Sequence, residues 1–307
     1  MIALVFPGQG AQKVGMGRSL ADAFPICRET FAEADAALGE PLSTLCFEGP
    51  AERLMLTENT QPAIVAMSTA VARLAASRGL KAAFAAGHSL GEYSAHVAAG
   101  TLSFADALRT VRRRGRYMQE AVPVGTGAMA AILGLDADAV GRACEESAQG
   151  EVVTPANLNA PGQVVIAGHA AAVARAGARA KELGARRVMP LAVSAPFHCP
   201  LMKPAEDRLA PELRSLAVND PAFPIVANVD AQPKRTARDS IDALIRQVSS
   251  PVRWEDVVKR LVAEGARTFV ELGPGTVLAG LIKKIDRGVT VHSVEDENGL
   301  GALERGI

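Results

Sequence analysis

Residues 86–95 have the sequence Ala-Gly-His-Ser-Leu-Gly-Glu-Tyr-Ser-Ala, which contains the pattern Gly-x-Ser-x-Gly. This pattern is typical of a nucleophile elbow, in which a strand turns sharply into a helix and exposes a serine hydroxyl at the turn. The N–H of Leu90, directly after Ser89, would point toward a developing oxyanion, as would the positive end of the helix. The alternative is an ordinary strand-to-helix turn in which Ser89 only caps the helix.

The composition limits the class of protein. The chain has 307 residues, of which 49% are hydrophobic, and this suffices for one large domain or two smaller ones around a sizeable core. Its 33 basic residues balance its 33 acidic residues, which argues against a general nucleic-acid or anionic-membrane binder. No basic segment precedes the first apolar stretch, and no apolar run reaches transmembrane length. We therefore expect a cytoplasmic monomer without nucleic-acid or membrane partners.

The four cysteines are scattered along the chain, at positions 27, 46, 144 and 199, and none belongs to a C-x-x-C pair. This distribution suits a reducing compartment, and it predicts neither a disulfide framework nor a zinc site. We therefore expect no metal in this protein.

The middle of the chain has the pattern of a separate unit. It predicts strands and helices at 127–133 (strand), 136–148 (helix), 152–158 (strand), 159–162 (turn), 163–167 (strand), 170–183 (helix) and 187–191 (strand). This βαββαβ order is that of a ferredoxin-like unit. The flanking segments alternate strands, such as 2–6 and 268–272, with helices. The sequence therefore predicts an α/β core at 1–124 and 195–307, split by an insertion at 125–194, with a cleft between the two parts.

A serine needs an adjacent base to act as a nucleophile, and the chain has five histidines. His198 lies just after the inserted unit and therefore near the expected cleft. His88 adjoins Ser89, but the elbow would turn the two side chains apart, and the other histidines fit core or surface positions. Cys199 adjoins His198, yet neighbouring residues of an extended segment point to opposite sides, which argues against a Cys–His pair. From the residues alone, His198 is one candidate base among several.

A run of three arginines, 112–114, offers a cation for a substrate. Apolar residues at helical spacing form one stripe between residues 104 and 118. Arg113 points away from this stripe, whereas Arg112 and Arg114 flank it on opposite edges, so either could reach into a cleft. A guanidinium there could bind a carboxylate with two parallel hydrogen bonds. The alternative is a solvated helix face.

Several blocks of the sequence resemble the signature motifs of the acyltransferase family. They are Phe6–Gly10 (FPGQG), Gly87–Glu92 (GHSLGE), Arg114-Gly115, 125–129 (GTGAM), 159–163 (NAPGQ), Phe197-His198, Asn228 and 273–275 (GPG). These blocks run from one end of the chain to the other in one order, so the chain is identified as a member of this family. The resemblance implies an α/β fold, with an α/β-hydrolase-like large domain and an inserted ferredoxin-like small domain.

The resemblance also implies a reaction. A malonyl group would pass from malonyl-CoA to the phosphopantetheine thiol of acyl carrier protein through a malonyl-serine intermediate, in fatty acid biosynthesis and without a cofactor. Ser89 would be the nucleophile and His198 the base, and Arg114 would bind the malonate carboxylate. The N–H groups of Gln9 and Leu90 would hold the oxyanion. The residues implied in substrate contact beside Arg114 are Phe197, His88 and Asn159.

In this family a main-chain carbonyl, here that of Gln247, orients the histidine. The local pattern is compatible, because apolar residues between 241 and 248 mark a helix face and Pro251 follows it. The last carbonyls of such a helix lack an intrahelical donor and can substitute for a carboxylate. A helix end satisfied by water is the alternative. If only this carbonyl orients the base, Gln247→Ala keeps much of the activity.

Substrate choice and several other functions stay open. By analogy with related polyketide acyltransferases, Leu90 and a Phe before the histidine, here Phe197, accompany malonyl over methylmalonyl groups. Phe197 departs from the Ser that some relatives have at this place. The alternative functions are a stand-alone acyltransferase that loads a polyketide synthase carrier, a hydrolase that edits misloaded carriers, and a non-catalytic carrier-docking module.

Overall fold

The computed structural model describes residues 1–193 and 195–306. The strands are β1 (Ile2–Phe6), β2 (Phe84–Gly87), β3 (Gly127–Leu133), β4 (Val153–Ala160), β5 (Gln163–His169), β6 (Arg187–Pro190), β7 (Ile225–Val226), β8 (Pro233–Lys234), β9 (Thr268–Leu272) and β10 (Thr290–Val294). The helices are α1 (Arg18–Ala23), α2 (Pro25–Leu38), α3 (Leu42–Glu48), α4 (Ala51–Leu54), α5 (Thr57–Ser77), α6 (Gly91–Ala98), α7 (Phe104–Glu120), α8 (Ala137–Ser147), α9 (Ala170–Glu182), α10 (Lys203–Ser215), α11 (Ala237–Gln247), α12 (Trp254–Ala263), α13 (Val277–Ile285) and α14 (Glu297–Gly306). No helix among these residues combines the length and the apolar character needed to cross a membrane.

The larger sheet has β1 between β9 and β2. Within the described residues, its six strands follow the order β10-β9-β1-β2-β7-β8, and all neighbours are parallel except β7 and β8. Alternate residues of β1 enter different cores, because Leu4 and Phe6 join one apolar cluster while Ala3 and Val5 join another. Burial of both faces explains the unbroken apolar sequence of this strand.

The middle of the chain forms a second sheet. Its elements run β3-α8-β4-β5-α9-β6, as the sequence predicts, and the strands pair antiparallel in the order β4-β5-β3-β6. Asp136 caps α8 by accepting a hydrogen bond from the Ala139 N–H at 2.7 Å. Most bounds differ from the predicted ones by one or two residues. The difference that bears on the site is that β4 continues to Ala160, where it still pairs with β5. Asn159 therefore lies in a strand, and the connection is shortened to residues 161 and 162.

The smaller sheet is joined to the rest of the chain through β4, which pairs with the connection between α11 and α12. Its Leu158 N–H donates to the carbonyl of Val252 at 2.9 Å, and the Val252 N–H donates to the carbonyl of Ala156 at 2.9 Å. A cavity beside this junction is lined by both parts of the chain, with Asn157 on one side and Ser89 on the other. The predicted boundary between 194 and 195 falls on Ser194, which lies outside the described residues.

Candidate active site

Ser89 stands at a tight turn between β2 and α6. Its φ is 53°, a left-handed conformation that a non-glycine residue adopts only when its surroundings enforce it. The flanking glycines allow this turn: a Cβ on Gly87 would overlap the main chain of Gly91, and a Cβ on Gly91 would overlap the carbonyl of Phe6. The motif thus places the serine just after the carboxyl end of β2, next to the end of β1.

Ser89 and His198 form a hydrogen-bonded pair. Ser89 Oγ lies 2.7 Å from His198 Nε2, and His198 Nδ1 lies 3.1 Å from the carbonyl oxygen of Gln247. A carbonyl can only accept, so Nδ1 carries the proton and Nε2 is free to accept the proton of the serine hydroxyl. Among the described residues, no Asp or Glu hydrogen bonds to His198.

The imidazole of His198 is neutral in this environment. Burial, together with the positive charge of Arg114, lowers the pKa of His198 to about 3. A neutral ring can accept a proton from Ser89, whereas an imidazolium cannot. The bond to the Gln247 carbonyl opposes this shift, since it favours the protonated ring.

The structure distinguishes between the three arginines of α7. Arg114 is buried with 1% exposure, and its Nη1 donates to Gln61 Oε1 at 2.8 Å. Its Nη2 donates to Ser89 Oγ at 3.0 Å and to Gln247 Oε1 at 3.0 Å. By contrast, Arg112 pairs with an acid in the α2–α3 connection, and Arg113 pairs with one on α10; they are Glu40 and Glu212.

The surroundings of Arg114 lack a direct counter-ion. Its hydrogen-bond partners are neutral, and its Cζ lies 5.6 Å from the ring centroid of Tyr93. Among the described residues, no carboxylate is within ion-pair distance of this guanidinium. Burial lowers the pKa of Arg114, because the charged form is partly desolvated. Such a cation is prepared to bind an anion that enters beside Ser89.

The two residues expected to hold the oxyanion through their N–H groups are Leu90 and Gln9. Leu90 occupies the N-cap position of α6, where an N–H has no acceptor within the helix. Gln9 belongs to the loop after β1, and its side chain donates to Thr57 Oγ1 at 3.3 Å. This loop packs tightly on the elbow, because a Cβ on Gly8 would lie 2.5 Å from the carbonyl oxygen of His88. Both Gln9 and Leu90 line the cavity in front of Ser89.

That cavity has a volume of about 130 Å³ and combines polar groups with apolar walls. Phe197 and Leu90 are buried, with 8% and 1% exposure, and form part of the apolar wall. His88 also faces the cavity, and its Nε2 lies 2.8 Å from Asn159 Oδ1. Asn159 is not among the lining residues, so it reaches the site through His88. The lining comprises Gln9, Gln61, His88, Ser89, Leu90, Arg114, Met118, Met129, Asn157, Leu191, Val193, Phe197 and His198.

This arrangement of a half-buried serine, a buried histidine and a buried arginine without an acidic partner among the described residues agrees with the sequence comparisons. The sequence model of the family described as acyl transferase domain matches residues 3–307. The chain belongs to this acyl transferase family. It is 52% identical over 301 residues to the malonyl CoA-acyl carrier protein transacylase of Escherichia coli (strain K12), with 98% of this chain and 97% of that protein covered.

Solved structures of the family are equally similar. An acyl carrier protein S-malonyltransferase from Vibrio cholerae O1 biovar eltor has a TM-score of 0.97 at 50% identity, with 98% of this chain and 99% of that chain covered. A malonyl-transacylase in complex with its type II polyketide synthase acyl-carrier protein has a TM-score of 0.97 at 49% identity, with 99% of both chains covered. The α/β fold of this acyl transferase is therefore that of these relatives.

The side chain of Gln247 contacts more of the site than its carbonyl does. Its Nε2 donates to the carbonyl of Ser89 at 3.0 Å and to Glu92 Oε2 at 2.8 Å, while its Oε1 accepts from Arg114. The side chain therefore adds contacts to the site beyond the main-chain carbonyl that the sequence analysis named. A signal was available in the sequence: Gln247 follows Leu244 by three residues, and an amide on an apolar helix face indicates an internal contact.

Sequence reasoning also missed residues that surround the elbow. Asn228 and Glu92 belong to matching blocks but received no role, although both are buried at 0% exposure. Asn228 Oδ1 accepts from the Ser89 N–H at 2.7 Å, and its Nδ2 donates to the carbonyl of Gly87 at 2.7 Å. Gln61, the partner of Arg114, directly precedes the apolar run 62–67. A single amide next to such a run was the only local sign that its side chain could be buried.

The remaining candidates lie away from this chemistry. Cys199 Sγ donates to the Pro196 carbonyl at 3.1 Å, and burial raises the pKa of this thiol to about 11, so it is not a thiolate nucleophile. His96 is buried within the fold, and burial lowers its pKa to about 3. His169 Nδ1 accepts from the Val152 N–H at 2.9 Å at the edge of the smaller sheet.

Proposed function

We propose that this chain transfers a malonyl group from malonyl-CoA to the phosphopantetheine thiol of acyl carrier protein, through a malonyl ester of Ser89. The observation that carries the proposal is the buried guanidinium of Arg114, which lies 3.0 Å from Ser89 Oγ and lacks an acidic partner among the described residues. A malonyl thioester provides both groups that this site calls for, since it has a carbonyl for the serine and a free carboxylate for the arginine.

In the first half-reaction, Ser89 Oγ attacks the thioester carbonyl while its proton passes to His198 Nε2. The Gln247 carbonyl accepts the hydrogen bond of His198 Nδ1, so the imidazolium that forms stays oriented and stabilised. The N–H groups of Gln9 and Leu90 hold the tetrahedral oxyanion. When the intermediate collapses, the C–S bond breaks, His198 returns its proton to the sulfur, and CoA leaves as the thiol.

In the second half-reaction, the carrier thiol takes the place of CoA. His198 removes the thiol proton, the sulfur attacks the malonyl ester, and the proton then returns to Ser89 Oγ as the C–O bond breaks. One base serves both directions, so the reaction is ping-pong. The thioester is itself the activated acyl donor, and no cofactor enters any step.

Arg114 accounts for the choice of acyl group. Its guanidinium is placed beside Ser89 and can form two parallel hydrogen bonds with the malonyl carboxylate. Phe197 and Leu90 occupy the space that an α-methyl group would need. Their burial in the cavity wall supports selection of malonyl over methylmalonyl groups.

We also infer the finer fold and the setting of the reaction. The proposed α/β-hydrolase-like catalytic domain comprises residues 1–124 and 195–307, and the position of the nucleophile at the carboxyl end of β2 in a parallel sheet supports it. The βαββαβ order of residues 125–194 supports a ferredoxin-like domain. All groups of the proposed mechanism come from one chain, which supports a monomer. The cysteines are free thiols, which supports a cytoplasmic location.

The test is to mix the protein with malonyl-CoA in the absence of carrier and to measure its intact mass. We expect one added malonyl group, with peptide mapping placing it on Ser89, and we expect Ser89→Ala to remain unlabelled. Label on Ser94 or Cys199, or no label, would overturn the proposal. A non-catalytic docking module would stay unlabelled, and an editing hydrolase would lose the label to water before carrier is added.

A second candidate function is loading of a polyketide synthase carrier. One observation favours it: a relative at 49% identity was solved in complex with a type II polyketide synthase carrier protein. The chemistry is the same and only the second acyl acceptor differs. Comparing kcat/KM for a fatty acid synthase carrier and a polyketide synthase carrier, with malonyl-CoA held saturating, separates the two functions.

A further inference from the structure

A buried carboxylate lies behind the serine, on the side away from the substrate cavity. Glu92, in the first turn of α6, has 0% exposure, and burial raises the pKa of its carboxyl to about 7. Its Oε2 accepts from the Asn228 N–H at 2.9 Å and from Gln247 Nε2 at 2.8 Å. Its Oε1 has no hydrogen-bond partner among the described residues. Burying an acid in this way is costly, so a compensating role is expected.

Both residues that donate hydrogen bonds to Glu92 also hold the main chain of the serine through their side chains. Asn228 Oδ1 accepts from the Ser89 N–H at 2.7 Å, and Gln247 Nε2 donates to the Ser89 carbonyl at 3.0 Å. The peptide groups on either side of Ser89 are therefore clamped from two separate parts of the chain. A residue at a φ of 53° depends on such clamping, because its own conformational preference opposes it.

Glu92 also contributes to fixing which end of the Gln247 amide faces the arginine. The ionised carboxylate and the Ser89 carbonyl can only accept hydrogen bonds, so the amide turns its Nε2 toward these two groups. Oε1 then faces Arg114 Nη2 at 3.0 Å. The reversed amide would set its NH₂ group against the guanidinium and its oxygen against the carboxylate. The main-chain carbonyl of the same Gln247 holds His198, so one residue connects Glu92 to both the base and the cation.

We propose that Glu92 is a positioning residue for acyl transfer, which fixes the elbow of Ser89 and, through the Gln247 amide, the placement of Arg114 and His198. Glu92 is not placed to touch a reacting atom, and its effect passes through its two amide partners. The inference rests on the proposed malonyl transfer. If the wild-type protein does not become malonylated on Ser89, the proposed function is wrong. If it does, but the Glu92 variants below keep wild-type kcat per site, only the present inference is wrong.

The first experiment compares Glu92→Ala with the isosteric Glu92→Gln. The number of competent sites is titrated by the burst of CoA released from malonyl-CoA without carrier, and kcat is then expressed per titrated site. We expect Glu92→Ala to lose about tenfold or more in kcat per site, because small displacements of reacting groups are costly. Glu92→Gln should recover most of this loss, since its amide oxygen can accept the same two hydrogen bonds.

A matched control is Glu271→Ala. Glu271 is equally buried, at 0% exposure, and accepts from the N–H groups of Leu278 and Ala279 at the start of α13, outside the reaction site. We expect it to lower the melting temperature without changing kcat per titrated site. If Glu92→Ala behaves in the same way, Glu92 only supports folding and the inference is wrong.

The second experiment asks whether Glu92 acts through Gln247. If it does, the double variant Glu92→Ala/Gln247→Ala should be no slower than the slower single variant. A double variant whose loss equals the product of the single losses would show independent action and overturn the proposal. If Glu92→Ala yields no folded protein, Glu92→Asp replaces it in both experiments. The aspartate side chain is one methylene shorter, so its carboxylate lies farther from the N–H groups of Asn228 and Gln247. Wild-type kcat per site in Glu92→Asp would therefore contradict the proposal.

Discussion

Replacing Arg114 by alanine is expected to damage malonyl transfer much more than acetyl transfer. The guanidinium is held beside Ser89 before substrate arrives, with 1% exposure and hydrogen bonds to Gln61, Ser89 and Gln247. A malonyl group has a carboxylate that can form two charge-assisted hydrogen bonds with it. An acetyl group has none, so the variant removes an interaction that only malonyl makes.

The structure separates the loss into a selective part and a shared part. A charge-assisted contact in a buried site contributes about 2–4 kcal/mol, which is about 30- to 900-fold in kcat/KM for malonyl-CoA. Arg114→Ala also removes the Nη2 hydrogen bond to Ser89 Oγ at 3.0 Å. That bond is worth about 1 kcal/mol, or about fivefold, for either acyl group. The malonyl-to-acetyl ratio should therefore fall by the first factor, while acetyl transfer falls by only about fivefold.

The assay measures CoA release and acyl-carrier formation from malonyl-CoA and acetyl-CoA under the same conditions. The matched control is Arg113→Ala, on the same helix, whose side chain is 54% exposed and pairs with Glu212. It should change either kcat/KM by less than about twofold, since exposed pairs contribute little. An equal loss for both acyl groups in Arg114→Ala would show that Arg114 supports only the structure, and the carboxylate argument would be wrong.

Two further substitutions test the cavity wall and the orientation of the base. Phe197→Ser should raise the methylmalonyl-to-malonyl ratio of kcat/KM by about 10- to 100-fold, because the space for one methyl group is worth about 1–3 kcal/mol. An unchanged ratio in a folded variant would show that other residues select between the two acyl groups. Gln247→Ala should lower kcat by about 10- to 100-fold although the main-chain carbonyl remains, because the lost amide contacts Ser89, Glu92 and Arg114. His198→Ala is the reference and should lose nearly all activity. Wild-type kcat in Gln247→Ala would show that the main-chain carbonyl alone is sufficient to orient His198.

The elements with strong local signals could be predicted from the sequence to within a residue or two. The apolar runs 2–6, 127–133 and 268–272 form β1, β3 and β9 with the predicted bounds. The error at β4 has a physical cause: Asn159 has the residue type of a turn, but pairing with β5 keeps it in the strand. Local propensity is overridden where a neighbouring strand supplies the hydrogen bonds.

The polar groups behind the serine could not be predicted in this way. Gln61, Glu92, Asn228 and Gln247 come from four separate elements or loops, and each has an ordinary local sequence. Their contacts exist only because α5, α6 and α11 and the segment after β7 converge on the elbow. Matching blocks indicated that some of these residues matter, but not which atoms they contact.

The sequence by itself predicted the turn at Ser89 from the Gly-x-Ser-x-Gly pattern, and Gly87 is required within the turn itself, because a Cβ there would overlap the main chain of Gly91. It also excluded Arg113 from the interior through helical phase alone. Helical phase left Arg112 and Arg114 open, since both flank the apolar stripe of α7; the family resemblance favoured Arg114, and the tertiary structure shows how the surroundings of the two side chains differ. Arg112 meets an acid outside the site, whereas Arg114 meets the amides of Gln61 and Gln247. Helical phase specifies a direction from the axis, but the partner found in that direction depends on how distant segments pack.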